Sequence, residues 1–241
     1  MPDLSPLRGK TAVVTGASRG IGARIAEALG KDGARVVLVA RNEEKLRERA
    51  SEIGNAIPVV ADLLDPASVE RAAKRISSEL RAAPDILINN AGIFRVAMVE
   101  ETLPESFAEM INTNLVGPFL FVQAFLGAMK SRKSGHIVTI GSIADRTVFT
   151  GNAAYSAAKL GLRAVHEVMR AELRGTGVRA TLVSPAATNT EIWNNVTVTD
   201  PGDKPHSTRP MLDADDVVAA VMFALRQPER VNVDELRLSH S

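Results

Sequence analysis

Cysteine is absent from this chain of 241 residues, and aromatic residues are scarce at 4%. Without cysteine there is no disulfide, no thiolate metal site and no cysteine nucleophile, and the composition suits a reducing compartment. Tyrosine occurs once, as Tyr155, and tryptophan once, as Trp193. Any chemistry that needs a phenol therefore has a single candidate.

An excess of either charge is also lacking. The 29 basic and 28 acidic residues are interspersed and give a formal net charge of +1, so no basic face is expected for nucleic acid or an anionic lipid surface. The four histidines, at 136, 166, 206 and 240, are scattered without ligand spacing, and we predict no metal site. A small molecule is the expected partner.

Long apolar segments are not evident in the sequence. The N-terminus reaches its first apolar run without the basic region and apolar segment of a signal peptide. No stretch approaches the roughly eighteen apolar residues of a membrane span. We therefore expect a soluble cytoplasmic protein with no membrane partner.

Short β-branched runs alternate with longer helical patterns along the chain. "KTAVVTG" and "ARVVLVA" are typical of strands, and "IGARIAEALGKDG" between them is typical of a helix. The early strands are continuous apolar runs, as expected when helices cover both faces of a parallel sheet. The alternation predicts an α/β fold with one doubly wound domain over residues 1–241 and a long helix from about Pro104 to Lys130. Residues 189–211 lack a clear pattern and are predicted to form a substrate lid.

The first predicted strand runs into "TGASRGIG", with glycines at 16, 20 and 22. At a strand-to-helix turn, glycines let the backbone approach a pyrophosphate, and the free N–H groups of the helix start face the anion. The spacing GxxxGxG departs from the commoner GxGxxG, and a glycine trio alone is equally compatible with a tight turn. Its position inside a βαβ unit favours a dinucleotide site.

The second predicted strand ends at Ala40 and Arg41, where many dinucleotide-binding folds have an acid that binds the ribose diol. An arginine can bind a 2′-phosphate with two donors, and Arg19 of the glycine loop can close on it from the other side. The sequence therefore favours NADP(H). NAD(H) stays possible, because Arg41 is also compatible with a solvated residue at a helix start.

The single tyrosine lies in "NAAYSAAKLG", an alanine-rich segment that favours helix. Positions i and i+4 of a helix share a face, so Tyr155 and Lys159 are expected to stand side by side. Taken alone, such a pair is more often a solvated pair on a helix surface than a site. The rest of the chain has to decide between these interpretations.

Five motifs follow one another along the chain: "TGASRGIG", "NNAG" at 89–92, Asn114, Ser142 and "YSAAK" at 155–159. Together they resemble the short-chain dehydrogenase/reductase family over nearly the whole chain. The resemblance implies a Rossmann-type parallel sheet of about seven strands, in the order 3-2-1-4-5-6-7, with helices on both faces. It also implies an oxidoreductase that interconverts a ketone and a secondary alcohol with a nicotinamide cofactor.

The resemblance assigns catalytic roles to four residues. Reduction of a ketone needs hydride at carbon and a proton at oxygen, and Tyr155 would supply the proton. Lys159 would help lower the phenol pKa from about 10 toward neutrality and would bind the nicotinamide ribose. Ser142 would hold the substrate oxygen, and Asn114 would support a proton-relay water. From the sequence alone, Ser142 is equally compatible with a turn cap, and Asn114 with a buried amide satisfied by backbone.

A larger set of positions resembles the family's cofactor site. The glycine loop would bind pyrophosphate and adenosine, Asp62 and Leu63 would lie beside adenine, and Thr188 and Thr190 would contact the nicotinamide amide and phosphate. The implied residues are Gly16, Ser18, Arg19, Gly20, Ile21, Gly22, Arg41, Asp62, Leu63, Asn89, Ala91, Gly92, Tyr155, Lys159, Pro185, Thr188 and Thr190.

The chain departs from the family pattern after the sixth predicted strand. The usual Pro-Gly pair is here Pro185-Ala186. The turn passes the nicotinamide, and a Cβ there could crowd it or forbid a positive φ. Alanine is the least disruptive replacement, so we expect a small adjustment.

Residues that flank the motifs are expected to line the substrate pocket, namely Phe94, Arg95, Phe149 and the stretch Ile143 to Arg146. Trp193 is either a lid residue that covers substrate or a packing anchor. The fold does not fix which carbonyl compound is bound.

The resemblance implies a homotetramer or homodimer, with the helix after Pro104 and the Tyr155 helix packed against partner subunits. Two alternatives remain open from the sequence. One is an NAD(H)-preferring dehydrogenase of the same family, and the other is a catalytically inactive nucleotide-binding protein.

Overall fold

A parallel sheet forms the centre of the computed structural model, which describes residues 7–194, 196 and 210–241. The strands are β1 (Thr11–Thr15), β2 (Arg35–Ala40), β3 (Ala56–Val60), β4 (Ile86–Asn89), β5 (Gly135–Ile140), β6 (Val178–Pro185) and β7 (Glu235–Leu238). Their order is β3-β2-β1-β4-β5-β6-β7, and every neighbouring pair is parallel. The order expected from the resemblance is confirmed.

Helices cover both faces of this sheet. They are α1 (Gly20–Lys31), α2 (Glu43–Ile53), α3 (Pro66–Leu80), α4 (Pro104–Ile111), α5 (Gly117–Ser131), α6 (Ala153–Glu172) and α7 (Ala214–Leu225). On one face, side chains such as Ile25 of α1 and Val217 of α7 join one hydrophobic core. On the other, Ile76 of α3 and Phe125 of α5 join a second.

Strands β1 and β2 are largely apolar because both of their faces are buried. In β1, Val14 belongs to the first core and Val13 to the second, and neither side chain is exposed. The continuous apolar runs in the sequence therefore indicate a sheet that is covered by helices on both sides. Hydrophobic burial of this kind is the main favourable contribution to folding.

The order of strand addition reverses between β3 and β4, because β4 pairs with β1 on the side opposite β2. In open α/β sheets this reversal leaves a crevice at the carboxyl ends of the strands, where ligands bind. Thr15, at the end of β1, links the two loops that border the crevice. Its Oγ1 accepts hydrogen bonds from the backbone N–H groups of Asn90 and Ala91, both at 3.0 Å.

The long helix predicted from Pro104 to Lys130 is present, but a π-helical turn, Asn112–Val116, separates α4 from α5. Within the helical stretch Pro104–Ser131, an 18-residue window has a mean hydropathy of 1.3, so the stretch is long and apolar enough to cross a membrane by length and composition. The expectation that no stretch approaches a membrane span is wrong on those two criteria. In the fold, Phe121 and Phe125 of α5 are buried in the core.

The predicted lid segment, residues 189–211, is described only in part, because positions 195 and 197–209 lie outside the described residues. Its two ends lie side by side. The N–H of Asn189 donates to the carbonyl of Leu212 at 2.8 Å, and the N–H of Leu212 donates to the carbonyl of Ala187 at 2.9 Å. Between them, Glu191–Trp193 forms a single 3-10 turn.

Two of the three histidines that the structure describes are buried and hydrogen-bonded. His136 and His166 are buried and bond the hydroxyls of Thr181 and Thr139. Within the described ranges, no three His, Cys, Asp or Glu side chains come together as a metal site would require.

Candidate active site

One cavity of about 720 Å³ lies at the carboxyl ends of the strands, at the reversal of strand order. Its volume is in the range of ordinary small-molecule and cofactor sites. Most of the site residues named from the sequence line it: Gly16, Ser18, Arg19, Gly20, Ile21, Arg41, Asp62, Leu63, Ala91, Gly92, Ser142, Tyr155, Lys159, Pro185, Thr188 and Thr190.

The glycine loop has the backbone shape that a pyrophosphate site requires. Gly16 and Gly20 have φ values of +68° and +56°, in the left-handed region that favours glycine. A Cβ on Gly16 would lie 2.8 Å from the Cα of Ala91, so a side chain there would separate the loop from its neighbour. Gly20 opens α1 at the cavity wall, where free helix N–H groups favour an anion.

Three of the predicted residues support the cavity from behind and do not line it. A Cβ on Gly22 would lie 2.4 Å from the carbonyl oxygen of Gly16, so this glycine allows α1 to pack against its own loop. Asn89 is buried and donates to the carbonyl of Pro118 at 3.1 Å, which joins β4 to α5. The third residue is Asn114.

Asn114 lies in the π-helical turn, is fully buried, and uses both ends of its amide on one residue. Its Oδ1 accepts from the N–H of Ile93, and its Nδ2 donates to the carbonyl of Ile93, both at 2.8 Å. A Cβ on Gly92 would lie 2.9 Å from that Oδ1. The side chain therefore fixes the loop after β4, as the backbone-satisfied alternative predicts, and its link to a relay water stays a prediction.

One end of the cavity is lined by exposed cations. Arg19 and Arg41 lie there as the sequence predicts, and Lys45 and Asn42 join them. Asn42 caps α2 by accepting from the N–H of Lys45 at 2.9 Å. Lys45 was missed from the sequence, although it stands one helical turn after Arg41 in the same α2 start.

Tyr155 and Lys159 lie on one face of α6 at the other end of the cavity. The Lys159 Nζ is 5.7 Å from the centroid of the tyrosine ring and donates to the carbonyl of Ile140 at 2.9 Å. Lys159 is only 5% exposed and Tyr155 is half-buried, so the interpretation as a solvated surface pair is wrong. An ammonium has three donors, so two more N–H groups of Lys159 are available at the cavity wall.

Burial sets the protonation states of this pair. Removal from water raises the pKa of Tyr155 to about 12, while hydrogen bonding with Ser142 acts in the opposite direction. The same effect lowers the pKa of Lys159 to about 8, and the carboxylate of Asp145 opposes it. The chain's own groups thus hold Tyr155 as a neutral phenol, able to donate a proton. A lowered phenol pKa with oxidised nicotinamide bound stays a prediction.

Ser142 caps a turn, which is one of the two roles that the sequence allowed for it. Its Oγ accepts from the N–H of Ala144 at 3.1 Å and so begins the 3-10 turn Ile143–Asp145. The hydroxyl proton is not used in that bond and can point toward Tyr155 or a substrate oxygen. The turn-cap interpretation of Ser142 is confirmed, and its role toward a substrate oxygen stays a prediction.

Aromatic side chains form a wall beside Tyr155. The Phe94 ring packs edge-on against Tyr155 at a centroid distance of 4.7 Å and against Trp193 at 5.0 Å. Trp193 is anchored, because its Nε1 donates to the carbonyl of Thr188 at 2.9 Å. Phe149 and Ile143 also line the cavity. Trp193 is thus both an anchor and a wall residue.

Three residues expected in the substrate pocket do not line the cavity. Arg95 is drawn away by an ion pair with Glu109, and Arg146 by an ion pair with Glu235. Asp145 is buried behind the Ser142 turn. Sequence neighbours of site residues point elsewhere because their charged ends bind partners on other elements.

The Pro185-Ala186 turn accommodates alanine without backbone strain. Among the described residues, Ala186 is not one of the non-glycine positions with positive φ. Its N–H donates to the carbonyl of Leu238 at 2.8 Å, and its own carbonyl accepts from the Thr188 hydroxyl at 3.0 Å. The small adjustment expected from the sequence agrees with this geometry.

Comparison with known proteins identifies the family. The model of the short chain dehydrogenase family matches residues 10–200. The chain belongs to the short-chain dehydrogenase/reductase family. An uncharacterized oxidoreductase of Staphylococcus saprophyticus is 36% identical over 95% of this chain and 97% of its own. As a family member with such relatives, the protein is an oxidoreductase.

Solved structures of short-chain dehydrogenase/reductases have the same fold. A metagenomic short-chain oxidoreductase in complex with NADP matches with a TM-score of 0.83 and 33% identity, over 98% of this chain and all of the other. The closed form of a serine dehydrogenase complexed with NADP+ matches with a TM-score of 0.87 and 31% identity, over 94% and 93% of the two chains.

Proposed function

We propose that this oxidoreductase interconverts a ketone and a secondary alcohol with NADP(H) as cofactor. The observation that carries the proposal is the convergence of Tyr155, Ser142 and buried Lys159 at one end of a cavity whose other end contains the glycine loop and Arg41. The residues fit a dinucleotide, since the loop is glycine where a Cβ would collide and cations line the far end. A catalytically inactive nucleotide-binding protein would not need this set.

Each of these side chains has a task in reduction. Ser142 donates to the substrate carbonyl oxygen and holds it near the phenol. A nicotinamide cofactor held in the cavity would supply the hydride that the carbonyl carbon needs. Tyr155 gives its proton to the oxygen, so that a secondary alcohol forms and a phenolate remains. Lys159, as an ammonium, stabilises the phenolate, which regains a proton from solvent before the next turnover.

The proposed preference for NADP(H) rests on the cations at the adenosine end. Lys45 stands in the first turn of α2 and Arg41 lies two residues before that helix, while Arg19 lies across the cavity in the glycine loop. A guanidinium can donate two parallel hydrogen bonds to a phosphate. The acid that would bind a ribose diol and repel a 2′-phosphate is replaced by Arg41 at the end of β2.

The proposed substrate has an apolar substituent next to its carbonyl. Phe94, Phe149, Ile143 and Trp193 form the described wall beside Tyr155, and Glu191 is the charged residue on the adjoining 3-10 turn. Apolar walls with a few convergent polar groups are typical of small-molecule sites. The carboxylate of Glu191 is not part of this wall, because its Oε2 lies beside Gly20 of the glycine loop, 3.5 Å from where a Cβ there would be.

We propose that the protein is a homotetramer or homodimer. Exposed apolar side chains stand on the helices that the family resemblance points to: Phe107 of α4 is 40% exposed, Phe119 of α5 43%, and Leu160 of α6 41%. Exposed apolar side chains on helices are typical of subunit interfaces. Light scattering should give a dimer or tetramer mass, and a monomer at all concentrations would contradict the proposal.

A panel of ketones and secondary alcohols, assayed with NADPH and NADH, tests the function. The panel should contain aryl alkyl ketones, aliphatic ketones and 2-oxo acids. We expect turnover with NADPH, fastest on uncharged ketones with an apolar substituent. Faster oxidation of NADH than of NADPH would overturn the cofactor preference. No turnover of any member, with NADPH bound tightly, would favour the inactive nucleotide-binding alternative.

A further inference from the structure

A buried carboxylate lies directly behind the active site and has no place in the mechanism above. Asp145 ends the 3-10 turn that follows Ser142, and it is 1% exposed. A buried charge is costly unless it is paired or hydrogen-bonded, so its partners show what it does.

One oxygen of Asp145 joins two parts of the active site. The hydroxyl of Ser184 donates to Asp145 Oδ2 at 2.5 Å, and Ser184 is itself 1% exposed. The N–H of Asp145 donates to the carbonyl of Ser142 at 2.9 Å. The carboxylate therefore connects the turn that contains Ser142 to the end of β6, next to Pro185.

The backbone beside this bond has no space for a side chain. A Cβ on Gly141 would lie 2.7 Å from Asp145 Oδ2 and 2.8 Å from the Ser184 Oγ. The N–H of Gly141 donates to the carbonyl of Val183 at 2.8 Å, which keeps β5 and β6 together at this level. Because Gly141 has no side chain, the hydrogen bond between Asp145 and Ser184 can form beside it.

The other oxygen of Asp145 has no hydrogen-bond donor among the residues that the structure describes. The Nε of Arg146 lies 3.7 Å away, but that guanidinium is paired with Glu235 of β7 and also interacts with Glu167 of α6. The negative charge of Asp145 is therefore only partly compensated by Arg146.

The remaining charge of Asp145 acts on the catalytic pair. It raises the pKa of both Tyr155 and Lys159. For Lys159, this carboxylate is the influence that opposes the effect of burial. A negative charge near an ammonium favours its charged form, and near a phenol it disfavours the phenolate.

We propose that Asp145 is a positioning residue, whose buried carboxylate fixes the Ser142 turn against β6 through Ser184 and whose partly compensated negative charge acts on Lys159 and Tyr155. The predicted effect of Asp145 on turnover rests on the proposed function. The predicted effect on the ionisation of Tyr155 does not rest on that function, because it is measured in the protein without substrate.

The single tyrosine gives a direct test in the cofactor-free protein, since phenolate absorbance in the near ultraviolet reports Tyr155 alone. In Asp145→Asn, which keeps the shape and removes the charge, the phenol should ionise about one pH unit lower than in wild type, because the carboxylate that disfavours the phenolate is gone. Asp215→Asn is the matched control, since it removes a carboxylate from an exposed ion pair with Arg24. An Asp145→Asn titration that coincides with the control overturns the electrostatic role.

A second test separates the positioning role of Asp145 from its electrostatic role. In Asp145→Asn, the high-pH decline of ketone reduction should move to lower pH by a similar amount. In Ser184→Ala, which keeps the charge and removes the hydrogen bond, kcat should fall about tenfold with the decline at its wild-type pH, because the Ser142 turn loses its attachment. Wild-type kcat in Ser184→Ala would overturn the positioning role, and this variant tests it even if Asp145→Asn does not fold.

Failure of the proposed function is distinguishable in these experiments. If wild-type protein reduces no ketone and the Asp145→Asn titration still moves, the reaction is wrong and the role of Asp145 stands. If wild type is active and neither the titration nor the pH profile moves, the electrostatic role of Asp145 is wrong and the reaction stands.

Discussion

At the end of the cavity where we propose that adenosine binds, the adenosine end, Arg19, Arg41 and Lys45 are exposed. At the other end, the proposed reacting end, Lys159 is 5% exposed and Tyr155 is half-buried. Exposed cations attract an anion through their summed charge and their hydrogen bonds, and dissolved salt weakens this attraction. Buried groups act through removal from water, which moves the pKa of Tyr155 to about 12 and that of Lys159 to about 8. One end of the cavity is thus suited to selecting an anion and the other to transferring a proton.

Removal of the phenol hydroxyl should have the largest effect at the reacting end. Tyr155→Phe keeps the ring contact with Phe94 and removes the proton donor, so kcat/KM for ketone reduction should fall about 10³-fold. Steady-state kinetics measures this loss. The dissociation constant of NADPH, measured by fluorescence titration, should stay near its wild-type value, because the adenosine end is untouched. A Tyr155→Phe enzyme as active as wild type would disprove the catalytic role.

Reversal of one charge should have the largest effect at the adenosine end. Arg41→Glu removes a bidentate donor and adds repulsion, so kcat/KM with NADPH should fall about 10²-fold, given about 1.5–3 kcal/mol for a hydrogen bond to a charged group. With NADH it should stay the same or rise. Arg47→Glu makes the same charge change on α2 at an exposed ion pair with Glu43. Equal losses in both variants would mean that charge near the cavity, and not Arg41 itself, governs affinity.

Much of the fold was predictable because local patterns determine it. Both faces of each central strand are buried, so β1 and β2 read as uninterrupted apolar runs, and Pro66 begins α3 at the position where proline is tolerated. The π-helical turn at Asn112–Val116 was not predictable. It depends on the contact between Asn114 and the backbone of Ile93, 21 residues away.

The site was predictable where spacing alone brings residues together. Tyr155 and Lys159 are one helical turn apart, and their shared face follows from helix geometry. The directions in which the Arg95 and Arg146 side chains point were not predictable. Each arginine pairs with an acid on another element, Arg95 with Glu109 on α4 and Arg146 with Glu235 on β7. The role of Asp145 is hidden for the same reason, since its partner Ser184 lies on β6.

The lowered pKa of Lys159 predicts opposite pH trends for activity and stability. Reduction should be constant below pH about 8 and decline above it, as the ammonium loses its proton. The unfolded lysine titrates near 10.5, so between pH 8 and 10 the unfolded chain binds more protons and stability should rise, by up to about 3 kcal/mol. Above that range, the raised pKa of Tyr155 reverses the trend.

Urea denaturation at pH 7 and pH 9.5 checks the stability trend, and initial rates over the same range check the activity. Lys159→Met removes the titrating group and should remove most of the rise in stability. A rise of equal size in Lys159→Met would assign it to other groups. A flat activity profile up to pH 10 would contradict the proposed need for the ammonium.

Restoration of the family's usual glycine at the turn between the two ends should have the smallest effect. The backbone at Ala186 does not use a positive φ, and its N–H is already bonded to Leu238 at 2.8 Å. Ala186→Gly should therefore change kcat/KM by less than about threefold and cost about 0.5–1 kcal/mol of stability, because glycine gains freedom in the unfolded chain. A tenfold gain in kcat with NADPH would mean that the alanine Cβ crowds the reacting end.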